Sequence, residues 1–213
     1  MKTHILNQSD PLSIRETHRI LKSGGVVAIP TDTVYGIACA YDNSEAIRSL
    51  YRIKVRDNLK AIPILLSDIS QMPMVAENLN TKARILAETF WPGALTLIVQ
   101  KKEGLPSNLT NYPTVGIRIP DYDWLRTIMR TCGPLSTTSA NISGKESPRN
   151  ADQVFEQLNG RIELIIDGGE CKGGVSSTVV DCSTDKIKII RAGGISISQI
   201  QTAIENFKGA INV

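Results

Sequence analysis

The sequence predicts a single α/β domain with a sheet that mixes parallel and antiparallel strands and helices on its flanks. The 213 residues include 41% hydrophobic and 21% charged residues, which is ordinary for one globular domain with a sizeable core. Short apolar runs alternate with segments of helical periodicity. No repeat, low-complexity run or Pro/Ser-rich linker interrupts this alternation, so we expect one domain over residues 1–213.

Start and stop signals delimit each predicted element in the first half of the chain. Pro11 starts a helix that the glycine pair at 24–25 ends, because proline suits the first helical turn and glycine the position after the last. Asn43 or Ser44 caps the second helix, and Pro92 follows the end of the third. The periodic positions on the inner face of the first helix are Ile14, His18 and Leu21. We predict helices over 11–23, from 43 or 44, and over 81–90, and strands over 26–29, 34–41, 62–66 and 95–99.

The second half of the chain alternates in the same way, with closely spaced strands after residue 160. Asp121 is predicted to cap a helix whose inner face carries Leu125 and Ile128, and Asn150 caps a helix that ends at Leu158. Helix–strand alternation favours parallel pairing and close spacing favours antiparallel pairing, so we expect a mixed sheet. We predict strands over 115–119, 134–138, 162–166, 178–180 and 187–190, and a last helix over 198–207.

Composition and spacing argue against several classes of protein. The net charge is only +3, which is mild for a nucleic-acid-binding domain. Neither zinc-ligand spacing nor a Cys/His catalytic pair can be assembled, and we expect reduced, structural cysteines at Cys39, Cys132, Cys171 and Cys182. No apolar run reaches the ~18 residues that cross a bilayer, and no signal peptide is evident. We therefore expect a cytoplasmic protein with no membrane partner.

Polar clusters follow or end several apolar strands, where α/β sheets usually place ligands. Residues 30–36 put two hydroxyls and a carboxylate in a turn, and Gly36 permits close backbone approach. An ordinary hydrogen-bonded turn explains the same residues. Residues 54–60 include Lys54, Arg56 and Lys60, which favour a phosphate cradle. The alternative is a helix C-terminus with cations that favour its dipole.

Two further clusters lie in the second half of the chain. Residues 135–144 are rich in hydroxyl and amide side chains, which suit an oxyanion when combined with backbone N–H groups. A polar surface loop is the alternative. Residues 173–178 and 190–193 combine glycines, which let backbone approach a ligand, with Arg191 at a strand end. A Gly-Gly hairpin explains these glycines without a ligand.

The inventory of chemical side chains favours one kind of catalysis. Neither a P-loop, a G-x-G-x-x-G fingerprint nor a catalytic triad can be assembled from the sequence. The clusters instead offer Lys, Arg, Ser, Thr and Asn. These residues suit chemistry that depends on positioning and charge stabilisation, such as attack on phosphorus, rather than on a histidine base.

Taken together, seven motifs resemble the YrdC-type threonylcarbamoyl-AMP synthases. They follow the order of that family over about residues 25–195: PTDTVYG, KVR…K, WPGALT, VGIRIP, STTSANISG, SSTVVD and IIRAG. Each motif is weak alone, whereas seven in order are specific. The resemblance implies a twisted mixed α/β sheet around a deep, positively charged cavity, which agrees with the fold class that the strand and helix pattern predicts.

The resemblance also implies roles for individual residues. The K-x-R and S-x-N tetrad of the family matches the catalytic candidates Lys54, Arg56, Ser139 and Asn141. The candidates for ATP contact are Arg56, Lys60, Thr114, Ser139, Ser147 and Arg191. The candidates for threonine contact are Thr33, Arg118, Thr137 and Ser177. A triphosphate needs several cations and a carboxylate suits one planar guanidinium, so Arg118 is assigned to the threonine carboxylate.

The implied reaction joins L-threonine, bicarbonate and ATP. The carbamate of threonine attacks the α-phosphorus, pyrophosphate leaves, and threonylcarbamoyl-AMP is formed for the threonylcarbamoyladenosine modification of tRNA. Mg²⁺ is expected to be carried by the nucleotide, without a dedicated protein site. The product is expected to pass to a tRNA-modifying threonylcarbamoyl transferase, and any contact with tRNA or double-stranded RNA is expected to be weak or nonspecific.

Two departures from the family pattern stand out. Asp57 occupies a position where many members have proline, and the chain ends at Val213, so we expect the short form without the extra C-terminal domain of longer members. Two alternatives remain: a carbamoyl-adenylate paralogue with a different acceptor, and a YrdC-like double-stranded-RNA-binding protein. The intact tetrad and the Arg118/Ser177 pair argue against the paralogue. The +3 charge and 5% aromatic content argue against the RNA binder.

Overall fold

A mixed sheet with helices on both faces forms the body of the protein, which confirms the predicted fold class. The computed structural model describes residues 2–55 and 61–211, with 207–211 as backbone only. Within these residues the strand order is β1-β8-β2-β3-β7-β4-β6-β5-β9-β10. The strands are β1 His4–Asn7, β2 Val27–Ile29, β3 Gly36–Ala40, β4 Ile64–Leu65, β5 Leu95–Gln100, β6 Thr114–Arg118, β7 Leu135–Ser139, β8 Leu164–Asp167, β9 Thr178–Asp181 and β10 Lys188–Arg191.

Both pairing modes occur in this sheet. Parallel pairs join β8 to β1 and β2, β4 to β6, and β5 to β9. The pairs β2–β3, β3–β7, β4–β7, β5–β6 and β9–β10 are antiparallel. The closely spaced β9 and β10 thus pair antiparallel, as their spacing predicts, while β9 also continues the sheet in parallel with β5.

Two apolar layers enclose the sheet because strand residues alternate between its faces. The helices are α1 Leu12–Lys22, α2 Ser44–Lys54, α3 Thr81–Phe90, α4 Asp123–Cys132, α5 Ala151–Leu158 and α6 Ile197–Ile211. Residues of α1 and α4 pack with Val27 and Ile29 on one face. Residues of α2, α3, α5 and α6 pack with Ala28 and Ile37 on the other face. Asn43 caps α2 by accepting a hydrogen bond from the Ala46 N–H.

The structure corrects two details of the predicted helices. The inner face of α1 is formed by Ser13, Thr17, Ile20 and Leu21, whereas Ile14 is 39% exposed. The face predicted from apolar periodicity was therefore wrong for Ile14 and His18 and right only for Leu21, because small hydroxyl side chains occupy two of the buried positions of α1. Tyr122, rather than Asp121, is the residue before α4, and it makes no side-chain capping bond. The buried positions of α4 include Leu125 and Ile128, as predicted.

Two elements were not predicted, and others differ in length. Strand β1 is largely exposed and lies at the sheet edge beside β8, so it lacks the apolar run that marks a buried strand. A turn of 3-10 helix, Ile69–Met74, contains Pro73 and no buried residue. Strand β4 shrinks to Ile64–Leu65, and α6 extends to Ile211. These differences lie at element ends and surfaces, where tertiary contacts override local pattern.

Candidate active site

A cavity of about 340 Å³ lies against the sheet and is lined by residues from β3, β7, β4, β6, β5, β9 and β10. Two of its residues, Leu65 on β4 and Thr137 on β7, belong to the same sheet face that α1 and α4 cover elsewhere. The cavity therefore occupies a part of this face that the two helices leave open. Among the described lining residues the charged side chains are Arg118 and Arg191, and both are cations.

Strand β6 crosses the floor of the cavity. Thr114, Gly116 and Arg118 all line the cavity, because alternate residues of a strand face the same side. The intervening Val115 and Ile117 are buried in the core on the opposite face. The sequence thus places a hydroxyl, an open position and a cation in a row along one strand.

Arg118 is fixed by three acceptors at the end of β6. Its Nη2 forms an ion pair with Asp32 Oδ1 at 2.5 Å, and both side chains are largely buried, at 7% and 14% exposed. Its Nε donates to the Gly93 carbonyl at 2.9 Å, and its Nη1 donates to Thr33 Oγ1 at 3.0 Å. Within the part of the chain that the structure describes, these bonds use three of the five guanidinium N–H groups. The guanidinium is therefore held rigidly, with donors left for a ligand.

The 30–36 turn is organised by the Thr31 hydroxyl. Thr31 Oγ1 donates to the Val34 carbonyl at 2.6 Å and accepts from the N–H groups of Thr33 and Val34 at 3.0 and 3.2 Å. It also lies 3.0 Å from Thr33 Oγ1. The hydrogen-bonded turn is thus real, and it also holds Thr33 against Arg118. A hydrogen-bonded turn and a role in ligand binding are therefore compatible for residues 30–36.

Arg191 holds the other side of the cavity through Ser177. Its Nε and Nη2 donate to the Ser177 carbonyl at 3.1 and 2.8 Å, and Nη2 lies 3.2 Å from Ser177 Oγ. Ser177 Oγ also pairs with Thr96 Oγ1 at 2.8 Å. Gly193 allows the backbone after β10 to lie against the backbone at Ser176, because a Cβ on residue 193 would lie 2.2 Å from the Ser176 carbonyl oxygen.

Lys54, Ser139 and Asn141 meet at the end of β7. The Lys54 side chain is buried, and its ammonium donates to the Ser139 carbonyl, to the Asn141 carbonyl at 2.6 Å and to Asn141 Oδ1 at 3.0 Å. Ser139 Oγ donates to Asn141 Oδ1 at 2.5 Å. The cation thus fixes the turn after β7, and Ser139 faces the cavity from it.

Comparison with known proteins identifies the family. The Sua5/YciO/YrdC family model, described as "Telomere recombination", matches residues 19–193. The chain belongs to this family. It is similar to the threonylcarbamoyl-AMP synthase of Bacillus subtilis, at 39% identity over 95% of this chain and 59% of the relative. It is also similar to a putative threonylcarbamoyl-AMP synthase of Methanocaldococcus jannaschii, at 36% identity over 94% of this chain and 95% of the relative.

A solved structure supports the same relationship. The crystal structure of Pyrococcus abyssi Sua5 complexed with L-threonine matches with a TM-score of 0.91 at 34% identity, over 95% of this chain and 61% of that chain. The chain spans about three fifths of the length of the first curated relatives, 59% and 57%. The recognition of the family from seven motifs is therefore confirmed.

The structure brings most of the residues predicted for this Sua5/YciO/YrdC site together. The candidates that line the cavity are Thr33, Thr114, Arg118, Thr137, Ser139, Ser177 and Arg191. Lys54 and Asn141 reach its edge through Ser139. Ser147 is half-buried and lies outside the lining of this cavity. Arg56, Lys60 and the divergent Asp57 lie outside the described residues, so their predicted roles stay predictions.

Sequence reasoning gave no role to Asp32, Thr96 or Gly116. Asp32 was noticed only as part of a turn, because nothing local indicates a partner 86 residues away. Thr96 follows the WPGAL segment as an ordinary strand residue, and its contact with Ser177 spans 81 residues. The sequence does show Asp32 and Thr96 as polar residues next to apolar strand residues. Such residues are too common in α/β proteins to identify a site residue by themselves.

Burial disfavours ionisation of the thiols and of Tyr35. All four cysteines are free, and Cys39, Cys171 and Cys182 are buried. Burial raises the pKa of Cys39 and Cys182 to about 12, so thiolate is scarce at neutral pH. Burial also raises the pKa of Tyr35, whose hydroxyl donates to the Gly169 carbonyl and accepts from the Gly168 N–H. This agrees with the expectation of reduced, structural cysteines.

Within residues 2–55 and 61–211, no group of three or more His, Cys, Asp or Glu side chains could hold a metal ion. In the same ranges no helix is both long and apolar enough to cross a bilayer.

Proposed function

We propose that this chain synthesises threonylcarbamoyl-AMP and pyrophosphate from L-threonine, bicarbonate and ATP. Relatives in bacteria and archaea carry the name threonylcarbamoyl-AMP synthase, and a similar Sua5 was crystallised with L-threonine. The observation that carries the proposal is the rigid Arg118. It lines the cavity, is held by Asp32, Thr33 and Gly93, and keeps donors for a carboxylate.

The geometry around Arg118 supports a threonine end of the proposed site. The carboxylate binds the Arg118 guanidinium, and hydroxyls of Thr33, Thr137 and Ser177 surround the rest of the amino acid. Each hydroxyl carries one donor and two acceptor positions, so those that already bond within the protein keep capacity for a ligand. The amine then lies toward the middle of the floor, where bicarbonate converts it to a carbamate with loss of water.

The nucleotide end is assigned by charge and by hydroxyl donors. Arg191 and the cations of residues 54–60 balance the triphosphate, and Thr114 and Ser139 contact the remainder. These cations with Arg118 make the cavity basic in this proposal. A carbamate oxygen attacks the α-phosphorus, the bond to the bridging oxygen breaks, and pyrophosphate leaves with the electron pair. Mg²⁺ supplies charge neutralisation on the phosphates and arrives with them.

Further parts of the proposal concern the fate of the product. The adenylate is reactive, so a tRNA-modifying threonylcarbamoyl transferase is the proposed recipient. Contact with tRNA or double-stranded RNA is proposed to be weak and to decrease steeply with salt. The proposed compartment is the cytoplasm, where tRNA and ATP are both available.

Pyrophosphate release tests the proposed function. The purified chain is supplied with ATP, Mg²⁺, bicarbonate and L-threonine, and each is omitted in turn. We expect release that needs ATP, bicarbonate and threonine and needs no RNA. Release without threonine would identify a different acceptor, as in the paralogue alternative. Release that appears only when RNA is added would contradict the proposed order of events.

A further inference from the structure

Gly116 lies at the centre of the cavity floor, where the residue type is set by space rather than by backbone conformation. It is not among the glycines with positive φ, so an L-residue could adopt its backbone geometry. Glycine inside a strand weakens the strand and often marks a close approach of a ligand or of another backbone. Its exposed surface opens into the cavity between Thr114 and Arg118. Backbone conformation does not account for glycine at this position, whereas a ligand that occupies the space above it would.

The neighbours of Gly116 would confine any side chain placed there. A Cβ on residue 116 would lie 3.3 Å from Pro63 Cβ and 3.3 Å from Thr96 Cγ2. Ile98 lies opposite Gly116 on β5, and Pro63 and Ile98 also line the cavity. A larger side chain can only extend upward, into the cavity, because both sides are closed.

The residue spacing along β6 is similar in size to the part of the product that joins threonine to phosphorus. Two residues of a strand span about 6.6 Å, so Arg118 lies about that far along the strand from Gly116. The chain from the threonine carboxyl carbon to the phosphorus, through Cα, nitrogen, carbamate carbon and oxygen, contains five bonds and spans about 6 Å. A product whose carboxylate pairs with Arg118 and whose nucleotide contacts Thr114 therefore passes over Gly116, which lies between them on the same face of β6.

We propose that Gly116 keeps open the passage in which the carbamate and the α-phosphate meet. This inference rests on the proposed function. Each substrate occupies mainly its own side of residue 116, whereas the joined product must lie across it. A side chain at this position leaves the separate subsites accessible and blocks their junction. Gly116 is thus a determinant of ternary-complex formation.

The test compares binding of single substrates with the complete reaction. Gly116→Ala and Gly116→Val are purified with the wild type, and calorimetry gives the Kd of ATP and of L-threonine separately. We expect both Kd values of Gly116→Ala to stay within about threefold, while pyrophosphate release falls about 100-fold, since a displacement near 1 Å at the reacting atoms has an effect of that size. Gly116→Val is expected to fall further. Release within threefold of wild type in Gly116→Val would overturn the proposal.

Stability measurements separate a blocked passage from a damaged fold. Replacing glycine in a strand lowers the entropy of the unfolded chain, whereas the new Cβ would lie 3.3 Å from atoms of Pro63 and Thr96. These effects oppose each other, so the melting temperature of Gly116→Ala should change little. Val115→Ala is the matched control, because Val115 is the adjacent residue of β6 on the core face. It should lower the melting temperature and keep pyrophosphate release within about threefold. If Val115→Ala also lost most of its pyrophosphate release, disturbance of strand β6 alone would explain the Gly116 variants, and the proposal would be overturned.

Co-binding distinguishes failure of this inference from failure of the proposed function. If the wild type binds both ligands but releases no pyrophosphate, the proposed reaction is wrong. Calorimetry with ATP and threonine together still tests residue 116 in that case. Both ligands should bind at once to the wild type, and each should exclude the other from Gly116→Val. Simultaneous binding to Gly116→Val would overturn the inference.

Discussion

Arg118 and Arg191 line the same cavity but are held in different ways. Arg118 is buried and ion-paired with Asp32, and it also donates to a backbone carbonyl and to a hydroxyl. Arg191 lies exposed on the edge strand β10 and donates to the carbonyl and hydroxyl of Ser177. Strands β5 and β9 separate the two, and the Thr96–Ser177 hydrogen bond lies between them.

One cavity can therefore combine rigid and adaptable recognition. A buried guanidinium with fixed partners loses little further freedom when it binds a carboxylate, so it favours a ligand of fixed shape. An exposed guanidinium at a sheet edge can adjust to a flexible triphosphate, and salt screens it more strongly. The proposed threonine end therefore depends on pre-organisation, and the proposed nucleotide end depends more on charge.

The largest effect is expected from Arg118→Ala. The substitution removes the carboxylate donor and leaves Asp32 as a buried charge without its partner. We expect kcat/KM for threonine to fall about 1,000-fold, and the free energy of unfolding to fall by about 3–5 kcal/mol. Steady-state kinetics and urea unfolding measure the two quantities. Arg118→Lys should recover little activity, because a point charge cannot replace the planar fork; nearly full recovery would contradict pre-organisation.

Asp32→Asn should have the next largest effect. It keeps an acceptor beside Arg118 but removes the charge that orients the guanidinium. We expect kcat/KM for threonine to fall about 10- to 100-fold, mainly through KM. L-threoninamide, which lacks the carboxylate, provides the control in the same assay. Its slower reaction should change much less with the substitution. An equal loss for both substrates would show that Asp32 does not act through carboxylate binding.

Arg191→Ala should reduce activity less than either change at the buried pair. We expect kcat/KM for ATP to fall about tenfold, because one exposed charge contributes modestly in water. Arg191→Lys should recover much of the loss, in contrast to Arg118→Lys. Initial rates at low and at physiological salt test the second half of the comparison. The fall in kcat/KM caused by Arg191→Ala should become smaller as the salt concentration increases. A fall that does not depend on salt would show that Arg191 acts as a rigid contact, as Arg118 does.

Thr96→Val is expected to have the smallest effect. It removes the hydroxyl beside Ser177, whose oxygen keeps its contact with Arg191. The net contribution of one such hydrogen bond is about 0.5–1.5 kcal/mol, so KM for threonine should rise about three- to tenfold. Thr96→Ser retains the hydroxyl and serves as the control. A KM unchanged in Thr96→Val would remove this contact from the threonine end.

The sequence predicted the fold better than it predicted the contacts of the site. Apolar runs located most strands from β2 to β10, because the buried faces of strands are mainly apolar. Asn43, Asn150 and the glycines marked helix ends. The exposed strand β1 was missed because it has four residues, of which only Ile5 and Leu6 are apolar. The hydroxyl-lined inner face of α1 was missed for a related reason. Periodicity records apolarity, whereas buried positions also accept small hydroxyl side chains such as Ser13, which donates to the Gln8 carbonyl.

The α/β class, the mixed sheet, the order of the motifs and the family are all predictable from the sequence. These properties depend on local periodicity and on residue types at short spacing. The Asp32–Arg118 pair, the Thr96–Ser177 hydrogen bond and the position of Ser147 outside the cavity lining are visible only in the folded protein. Such contacts join residues far apart in the chain, and they depend on sheet order and register. That order results from packing of the whole core, which no short segment encodes.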